Sequence, residues 1–138
     1  MVPQGSTTVT FPITTGDPTV PTGATVTANY NGSMQTATTT IKPNVLTSVK
    51  VSPTSVKGGS AAVVTGTVTL TQTVAVDTTI SLSSDTPSAA EVLGSVTVSA
   101  GQKSATFSVT HHAVSAKKTV TIMATRAGVS KTATLTVN

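Results

Sequence analysis

The residue types that most often do chemistry are few in this sequence, and they lie far apart. The candidates are two adjacent histidines and four acids: His111, His112, Asp17, Asp77, Asp85 and Glu91. Adjacent residues on a strand point to opposite faces, so the two imidazoles are not expected to converge on one metal ion. Calcium takes about six to eight oxygen ligands, several of them from carboxylates, and the four acids are too scattered to supply them. The sequence predicts no metal site and no cofactor.

The residue types of a Lys–Asn isopeptide bond are also present, namely Lys50, Asn138 and either Glu91 or Asp77. This bond needs a buried lysine, whereas Lys50 stands between two valines predicted to face inward and is therefore expected to face solvent. Serine is common, but the chain has no G-x-S-x-G motif, and nothing in the sequence brings a serine, a histidine and an aspartate together. We therefore predict no catalytic residues and no enzymatic activity.

Charge and aromatic content argue against a nucleic acid as partner. The formal net charge is +4, but only Lys117 and Lys118 are adjacent among the eight Lys and Arg residues. Single-stranded nucleic acids bind to clustered cations interleaved with aromatic rings. The three aromatic residues here, Phe11, Tyr30 and Phe107, are dispersed. We predict no nucleic-acid partner, and no apolar run approaches the roughly 20 residues of a membrane-spanning helix.

The composition points to β-structure. Threonine and valine are common, and charged residues make up only 9% of the chain, against about 25% in ordinary soluble proteins. β-Branched side chains suit a pleated sheet and lose rotamer freedom on a helix, and no apolar period of a helix is present. Because the chain has no cysteine, its stability must come from packing rather than from disulfides. The composition predicts an all-β protein.

An internal repeat sets the organisation of the sequence. Phe107 repeats Phe11 at a shift of 96 residues, the difference between their numbers. The shift holds without a gap as far as Thr132-Ala133-Thr134, which repeats Thr36-Ala37-Thr38. A period of this size corresponds to a whole β-sandwich domain rather than to one turn of a solenoid.

Residues 1–44 are predicted to form three strands. Alternating apolar residues predict strands over Thr7–Thr14, Ala24–Tyr30 and Gln35–Ile41. Asn31-Gly32 predicts a two-residue hairpin between the last two, because a type I′ turn needs positive φ at both central residues. Asn31-Gly32-Ser33 also matches the N-glycosylation sequence Asn-x-Ser. We interpret these residues as the hairpin turn rather than as a glycosylation site. Lys42-Pro43-Asn44 is then a domain boundary, because proline cannot continue a central strand.

Residues 45–138 are predicted to form a complete domain. From Leu46 onward, seven strands with inward Val, Ile and Leu follow one another at intervals of about 8 to 12 residues, the pattern of an immunoglobulin-like (Ig-like) β-sandwich. One of these strands is predicted over Val92–Val98, interrupted by Gly94. The Cys-Trp-Cys core of antibody domains is absent, so Phe107 and aliphatic residues must fill the core.

The runs VSPTSVKGG, SVTVSAGQKSATFSV and AGVSKTATLTV resemble the tandem bacterial Ig-like repeats of large cell-surface and secreted proteins. The resemblance covers Leu46–Asn138 in full, and Val2–Ile41 as the closing half of a preceding repeat. It implies an Ig-like sandwich and an extracellular or cell-surface location. Two departures affect local loop shape only: Ala75-Val76-Asp77 stands where a Pro/Gly pair is common, and Glu91 stands where a small or apolar residue is usual.

The predicted fold class is therefore all-β, with one complete Ig-like domain preceded by the closing three-strand half of another. With strands lettered A to G, residues 1–44 supply E, F and G, and residues 45–138 supply A to G. The surplus half exposes an apolar face, and isolated strands of this size are not stable in water. Its predicted subunit-interface residues are Val9, Phe11, Ile13, Val26, Ala28 and Ile41. Burying one such large side chain stabilises by about 1.5–3 kcal/mol, which favours a partner surface.

Three arrangements would cover this face: a longer repeat array, exchange of strands with a neighbouring copy, or packing against another subunit. Exchange between identical chains cannot remove the surplus, because every added chain again brings two closing halves and one opening half. A head-to-tail contact between unlike surfaces propagates unless it closes into a ring. The sequence therefore favours a structural module that assembles head-to-tail with other copies of itself into a filament or stalk, by strand or hydrophobic-face complementation between subunits. The alternative is an adhesin or carbohydrate-binding module for surface glycans. In that case Tyr30 would be the aromatic residue that contacts the sugar.

Overall fold

The computed structural model describes residues 2–138, which form eleven β-strands and no helix. The strands are β1 (Thr22–Tyr30), β2 (Ser33–Ile41), β3 (Leu46–Ser52), β4 (Ser55–Val56), β5 (Val64–Leu70), β6 (Thr78–Ser84), β7 (Ala90–Val92), β8 (Ser95–Val98), β9 (Ser104–His111), β10 (Lys118–Arg126) and β11 (Val129–Val137). Nowhere in this part of the chain is there a helix long and apolar enough to cross a membrane. The all-β prediction is confirmed.

Strands β3 to β11 form a sandwich of two sheets. One sheet has the strand order β4-β11-β10-β6-β8, and the other has the order β3-β5-β9-β7. Neighbouring strands are antiparallel, except for β4 and β11, which pair in parallel. Two facing, mainly antiparallel sheets of this kind make an Ig-like β-sandwich, as the sequence predicts.

The core of the sandwich lies between the two sheets and is built by alternation. Along β6, buried and exposed residues alternate from Thr78 to Leu82, so every second side chain reaches the core. The largest fully buried side chains are Leu46, Leu70, Ile80, Ile122, Leu135, Val64, Val68, Val98, Val120 and Val137. Aliphatic residues thus fill the space that a disulfide and a tryptophan occupy in antibody domains.

Strands β1 and β2 form a separate two-stranded sheet, the β1–β2 hairpin. Their bounds are those of β10 and β11 shifted by 96 residues, and the register is the same: Val26 pairs with Ala37 as Ile122 pairs with Ala133. The turn at Asn31-Gly32 has φ values of 47° and 78°, as a type I′ turn requires. The predicted hairpin is confirmed, and the sequence repeat is also a structural repeat.

The predicted strand over Thr7–Thr14 does not form. Its counterpart β9 is hydrogen-bonded on both sides, to β5 and to β7. The positions that would correspond to β5 and β7 at the 96-residue shift do not fall within residues 1–138, so the segment has no ladder partner there. The turn before this segment is the same in both copies. The amide of Ser6 donates to the carbonyl of Pro3 at 3.0 Å, and in the second copy the amide of Gln102 donates to the carbonyl of Ser99 at 3.0 Å.

The predicted strand over Val92–Val98 divides into two. β7 pairs with β9 in one sheet, whereas β8 pairs with β6 in the other. The chain crosses between the sheets at Leu93 and Gly94, where Leu93 is 78% exposed and the carbonyl of Gly94 accepts a hydrogen bond from the amide of Leu82 at 2.9 Å. Alternation indicates which face of a strand is buried, but it does not indicate which sheet the strand joins.

Candidate assembly site: the hairpin face and its junction with the sandwich

The histidines that the sequence singles out face different partners. His111 Nε2 lies 2.9 Å from the carbonyl oxygen of Ala62, whereas His112 Nε2 lies 3.5 Å from Glu91 Oε1. Among the residues that the structure describes, no group of three or more His, Cys, Asp or Glu side chains is placed to hold a metal ion. The two imidazoles therefore contact different residues and do not share a partner.

Three of the four acids accept hydrogen bonds from backbone amides of distant segments, and two of them, Asp77 and Asp85, lie within the sandwich. Asp77 Oδ1 accepts from the amide of Ala100 at 2.9 Å, and Asp85 Oδ1 accepts from the amide of Thr121 at 2.9 Å. The bond from Thr121 favours the ionised carboxylate and holds the pKa of Asp85 below its ordinary value. Both carboxylates therefore act as caps on the backbone.

The residue types of an isopeptide bond are not brought together. Lys50 is exposed on β3 between two buried valines, as predicted. Asn138 Nδ2 instead donates to Ser55 Oγ at 2.9 Å. The acids proposed as their partner are engaged elsewhere, one with a backbone amide and the other with a histidine.

One face of the β1–β2 hairpin is uncovered. On the equivalent face of β10 and β11, Ile122 and Val137 are both 0% exposed, because the other sheet packs over them. At the corresponding positions Val26 and Ile41 are only part-buried, and Ala28 on the same face is exposed. The hairpin thus has the register of a sandwich sheet, but within residues 2–138 no second sheet lies over it.

The other three predicted interface residues lie on the segment before the hairpin. Val9, Phe11 and Ile13 are 47%, 61% and 56% exposed. Phe107, the counterpart of Phe11, is only 8% exposed. The apolar side chains that a complete sandwich would bury are therefore in contact with solvent here, which is the condition that an assembly surface requires.

An ion pair ties the hairpin to the sandwich. Asp17 precedes β1, Arg126 ends β10, and the two are joined through Asp17 Oδ2 and Arg126 Nη2. Their side chains are only 27% and 18% exposed, so solvent screens this pair less than a surface pair. Asp17 Oδ1 also accepts from the amide of Asn44 at 2.8 Å, and Arg126 Nε donates to the carbonyl of Asn44 at 3.0 Å. The three residues form a closed ring of hydrogen bonds.

Asn44 holds the linker between β2 and β3 against the sandwich. Its side chain is buried, and its Nδ2 donates to the carbonyl of Gln72 at 2.8 Å. Its Oδ1 accepts from the amide of Gln72 at 3.0 Å and from the hydroxyl of Thr71 at 2.7 Å. Every polar atom of this buried asparagine therefore has a hydrogen-bond partner. We name Asp17, Asn44, Thr71, Gln72 and Arg126 the junction cluster.

Sequence reasoning did not find the junction cluster. In the sequence, Asp17 is one of four scattered acids, and Asn44 only marks a domain boundary. The two charges lie 109 positions apart, so no local spacing connects them. The repeat holds one signal: Asp17 corresponds to Ala113 and Arg126 to Tyr30. Both members of the pair therefore differ from their counterparts, as expected for residues that serve a single junction.

The fold has relatives among solved structures, although searches against protein families and against curated proteins find no match. The D00-D0 domain of intimin is similar, with a TM-score of 0.56 and 17% sequence identity over 84% of this chain. The chain spans 64% of the length of that structure. The similarity shows the fold, an Ig-like β-sandwich.

Two further structures come from the surface layer protein SbsC. Its domains 4 and 5 match with a TM-score of 0.43 and 25% identity, over 86% of this chain and 58% of theirs. A structure of its domains 1-6 matches with a TM-score of 0.45 and 23% identity, over 86% of this chain and 16% of that one.

Proposed function

We propose that this chain is a structural module of an extracellular bacterial repeat protein and assembles head-to-tail with other copies of itself into a filament or surface stalk. Residues 1–44 form the closing part of one Ig-like repeat, and residues 45–138 form the next, complete repeat. A neighbouring subunit covers the open face of the β1–β2 hairpin. The resemblance to tandem bacterial Ig-like repeats supports the extracellular or cell-surface location.

A single observation carries this proposal, namely the difference in exposure between two copies of the same strands. Phe11 is 61% exposed, while Phe107 is 8% exposed. Ile41 is part-buried, while its counterpart Val137 is 0% exposed. Burying each such side chain contributes roughly 1.5–3 kcal/mol, so several together favour association. Contact with a neighbouring subunit would bury the apolar side chains of residues 1–44 as their counterparts in the sandwich are already buried.

The junction cluster supports an end-to-end arrangement. Asn44 lies at the end of the sandwich where β3 begins, beside Thr71 and Gln72. Asn138 lies beyond the other end of β3, where it contacts Ser55. The chain therefore enters and leaves the sandwich at opposite ends, as a module that extends a stalk must do.

The test compares the wild-type chain with two lysine variants. Val26→Lys places a charge on the open face of the hairpin, whereas Thr27→Lys places the same charge on the opposite face of the same strand. We expect the wild-type chain to form species far larger than its 13.7 kDa in analytical ultracentrifugation, and elongated particles in electron microscopy.

The two variants should then behave differently. Val26→Lys should weaken association at least tenfold, because the charge would have to be desolvated at the contact, at a cost of more than about 1.4 kcal/mol. Thr27→Lys should associate like the wild type. A wild-type chain that is a 13.7 kDa monomer at every concentration, or equal loss of association in both variants, would refute assembly through this face.

A second candidate function is glycan binding at the hairpin tip. Tyr30 is 79% exposed beside the Asn31-Gly32 turn, and exposed aromatic rings commonly bind sugars. Binding on a glycan array that Tyr30→Ala abolishes would support this function. The absence of any bound glycan would leave assembly as the function of the hairpin.

A further inference from the structure

A shallow apolar depression lies at the end of the β1–β2 hairpin. It is lined by Gly16, Asp17, Pro18, Thr22 and Ile41. One of its lining residues, Ile41, belongs to β2, whose outer edge has no strand beside it among residues 2–138. An unpaired edge next to an apolar depression has the two features by which proteins bind an added strand: backbone hydrogen bonds and a pocket for side chains.

The second copy of the repeat shows what fills the equivalent place. The counterparts of Gly16, Asp17 and Ile41 at the 96-residue shift are His112, Ala113 and Val137. The turn at Gly58-Gly59 packs on these three residues: a Cβ atom on Gly58 would clash with the carbonyl oxygen of His112 and lie 3.0 Å from Val137 Cγ1, and one on Gly59 would lie 3.2 Å from Ala113 Cβ. The depression in the first copy therefore corresponds to the surface on which Gly58 and Gly59 pack in the second copy.

Backbone groups at the same place in the first copy form no hydrogen bond with another backbone group among residues 2–138. In the second copy, the amides of Thr136 and Asn138 donate to the carbonyls of Thr54 and Val56 at 2.8 and 2.9 Å, and the carbonyl of Asn138 accepts from the amide of Gly58 at 2.9 Å. The corresponding groups are the amide of Thr40 and both the amide and carbonyl of Lys42. Because β1–β2 and β10–β11 share one register, the amide of Thr40 points to the open edge of β2, and Lys42 follows directly after the last paired residue, Ile41.

We propose that the β2 edge and this depression form a binding site for an extended segment of the type Ser-Val-Lys-Gly-Gly, which a neighbouring Ig-like module donates. The segment runs parallel to β2, as β4 runs parallel to β11, and its glycine pair sits against Gly16 and Asp17. This inference deepens the proposed function and rests on it in one respect, namely that another Ig-like module covers the hairpin. Residues 55–59 of this chain are held in its own sandwich, so another copy of this chain does not donate the segment. Such a copy covers the apolar face of the hairpin, and the segment at the β2 edge comes from a separate Ig-like module whose entry segment is free.

The structure makes two demands on the donated segment. Its apolar residue must enter the space over the hairpin, as Val56 does in the sandwich, where it is 6% exposed. Its first glycine must carry no side chain, because a Cβ atom at Gly58 would clash with a backbone oxygen, and backbone cannot move aside as a flexible side chain can. The site therefore selects for glycine at a defined position.

The test is an NMR titration of the full chain with the free peptide Thr-Ser-Val-Lys-Gly-Gly-Ser, the sequence of residues 54–60. We expect saturable amide shifts at Thr40, Ile41 and Lys42 with a dissociation constant of about 1 mM, or −4.1 kcal/mol, as is reasonable for a few backbone hydrogen bonds and one buried valine. The same peptide carrying Gly58→Ala should bind at least tenfold more weakly.

Two proline variants of the chain serve as a matched pair. Thr40→Pro removes an amide that the peptide needs, while leaving the pairing with β1 intact, because proline is tolerated where the lost N–H faces an open edge. Thr36→Pro removes an equivalent edge amide away from the depression. We expect Thr40→Pro to weaken peptide binding at least tenfold and Thr36→Pro to preserve it.

Several results would overturn the site. These are unchanged shifts at Thr40–Lys42 at millimolar peptide, equal binding of the Gly58→Ala peptide, or shifts confined to Thr136 and Asn138, which would place the peptide on the sandwich. The ultracentrifugation result is independent. A monomeric chain that binds the peptide at Thr40–Lys42 would refute the filament and keep the site, and an assembling chain that does not bind the peptide would refute the site alone.

Discussion

The ring of Phe107 lies directly over Gly66, its register partner on the neighbouring strand β5. A Cβ atom on Gly66 would overlap with the ring carbons Cζ, Cε1 and Cε2. Phe107 is only 8% exposed and is the sole aromatic residue of positions 45–138. The largest side chain of the sandwich core therefore fits because the strand beside it carries a glycine.

The first prediction concerns Gly66→Ala. The added methyl group must displace the ring of Phe107 in a close-packed core, so we expect the free energy of unfolding to fall by about 1–3 kcal/mol. Chemical denaturation measures it. Gly94→Ala is the matched control, because a Cβ atom there meets nothing within 4 Å, and its effect should stay within about 0.5 kcal/mol. If both variants lose the same free energy of unfolding, the cost of Gly66→Ala comes from the backbone conformation of glycine and not from contact with the Phe107 ring.

Local patterns in the sequence predict the hairpin and the sandwich faces well. Asn31-Gly32 fixes the turn because its conformational demand is met by those two residues alone. The alternation of Val, Ile and Leu assigns inward residues such as Ile80 and Leu82 because one face of each strand is buried. Both signals are local, so a single sequence contains them.

The features that the sequence does not predict depend on distant partners. Thr7–Thr14 has the alternation of a strand, but a strand also needs a neighbour to bond with. Asp17 meets Arg126 across 109 positions, and the outer edge of β2 becomes a candidate binding site only through comparison with β11. Periodicity carries no information on such pairings, although comparison between the two copies of the repeat does.

The second prediction concerns the turn at Ala127-Gly128, which matches Asn31-Gly32 in the first copy. Ala127 has a φ of 47°, a left-handed conformation that costs an ordinary L-residue about 1–2 kcal/mol and that asparagine tolerates better. We expect Ala127→Asn to raise the free energy of unfolding by roughly 0.5–1 kcal/mol. Ala116→Asn, at an exposed loop position, should change it little. A loss of stability in Ala127→Asn would contradict the assignment of strain to this residue.

The third prediction concerns acid stability. The amide of Thr121 donates to the carboxylate of Asp85 and lowers the pKa of Asp85 from its ordinary value of 3.8. A pKa lowered in the folded state gives stabilisation that is present above pH 3.8 and is lost as the pH falls through the folded value. Asp85→Asn should therefore be less stable than the wild type at pH 6 and should lose less stability between pH 5 and pH 2. The effect should be small, because Asp85 is exposed.

Thermal unfolding across this pH range measures the difference. Glu91→Gln is the control, because it removes one negative charge and leaves the contact with Thr121 in place. If Asp85→Asn and the wild type show the same pH dependence, the hydrogen bond from Thr121 does not favour the ionised carboxylate.

The last prediction concerns the junction cluster, where the Asp17–Arg126 pair fixes the orientation of the hairpin on the sandwich. Asp17→Asn and Arg126→Gln each remove this ion pair, so the hairpin should reorient more freely. Residual dipolar couplings should then fall for β1 and β2 and stay unchanged for β10 and β11. The double variant should be no more mobile than either single one, because two residues that act through one contact are not additive. Asp77→Asn, the same charge change away from the junction, should leave all couplings as they are, and unchanged couplings in Asp17→Asn would mean that Asn44 alone holds the two parts together.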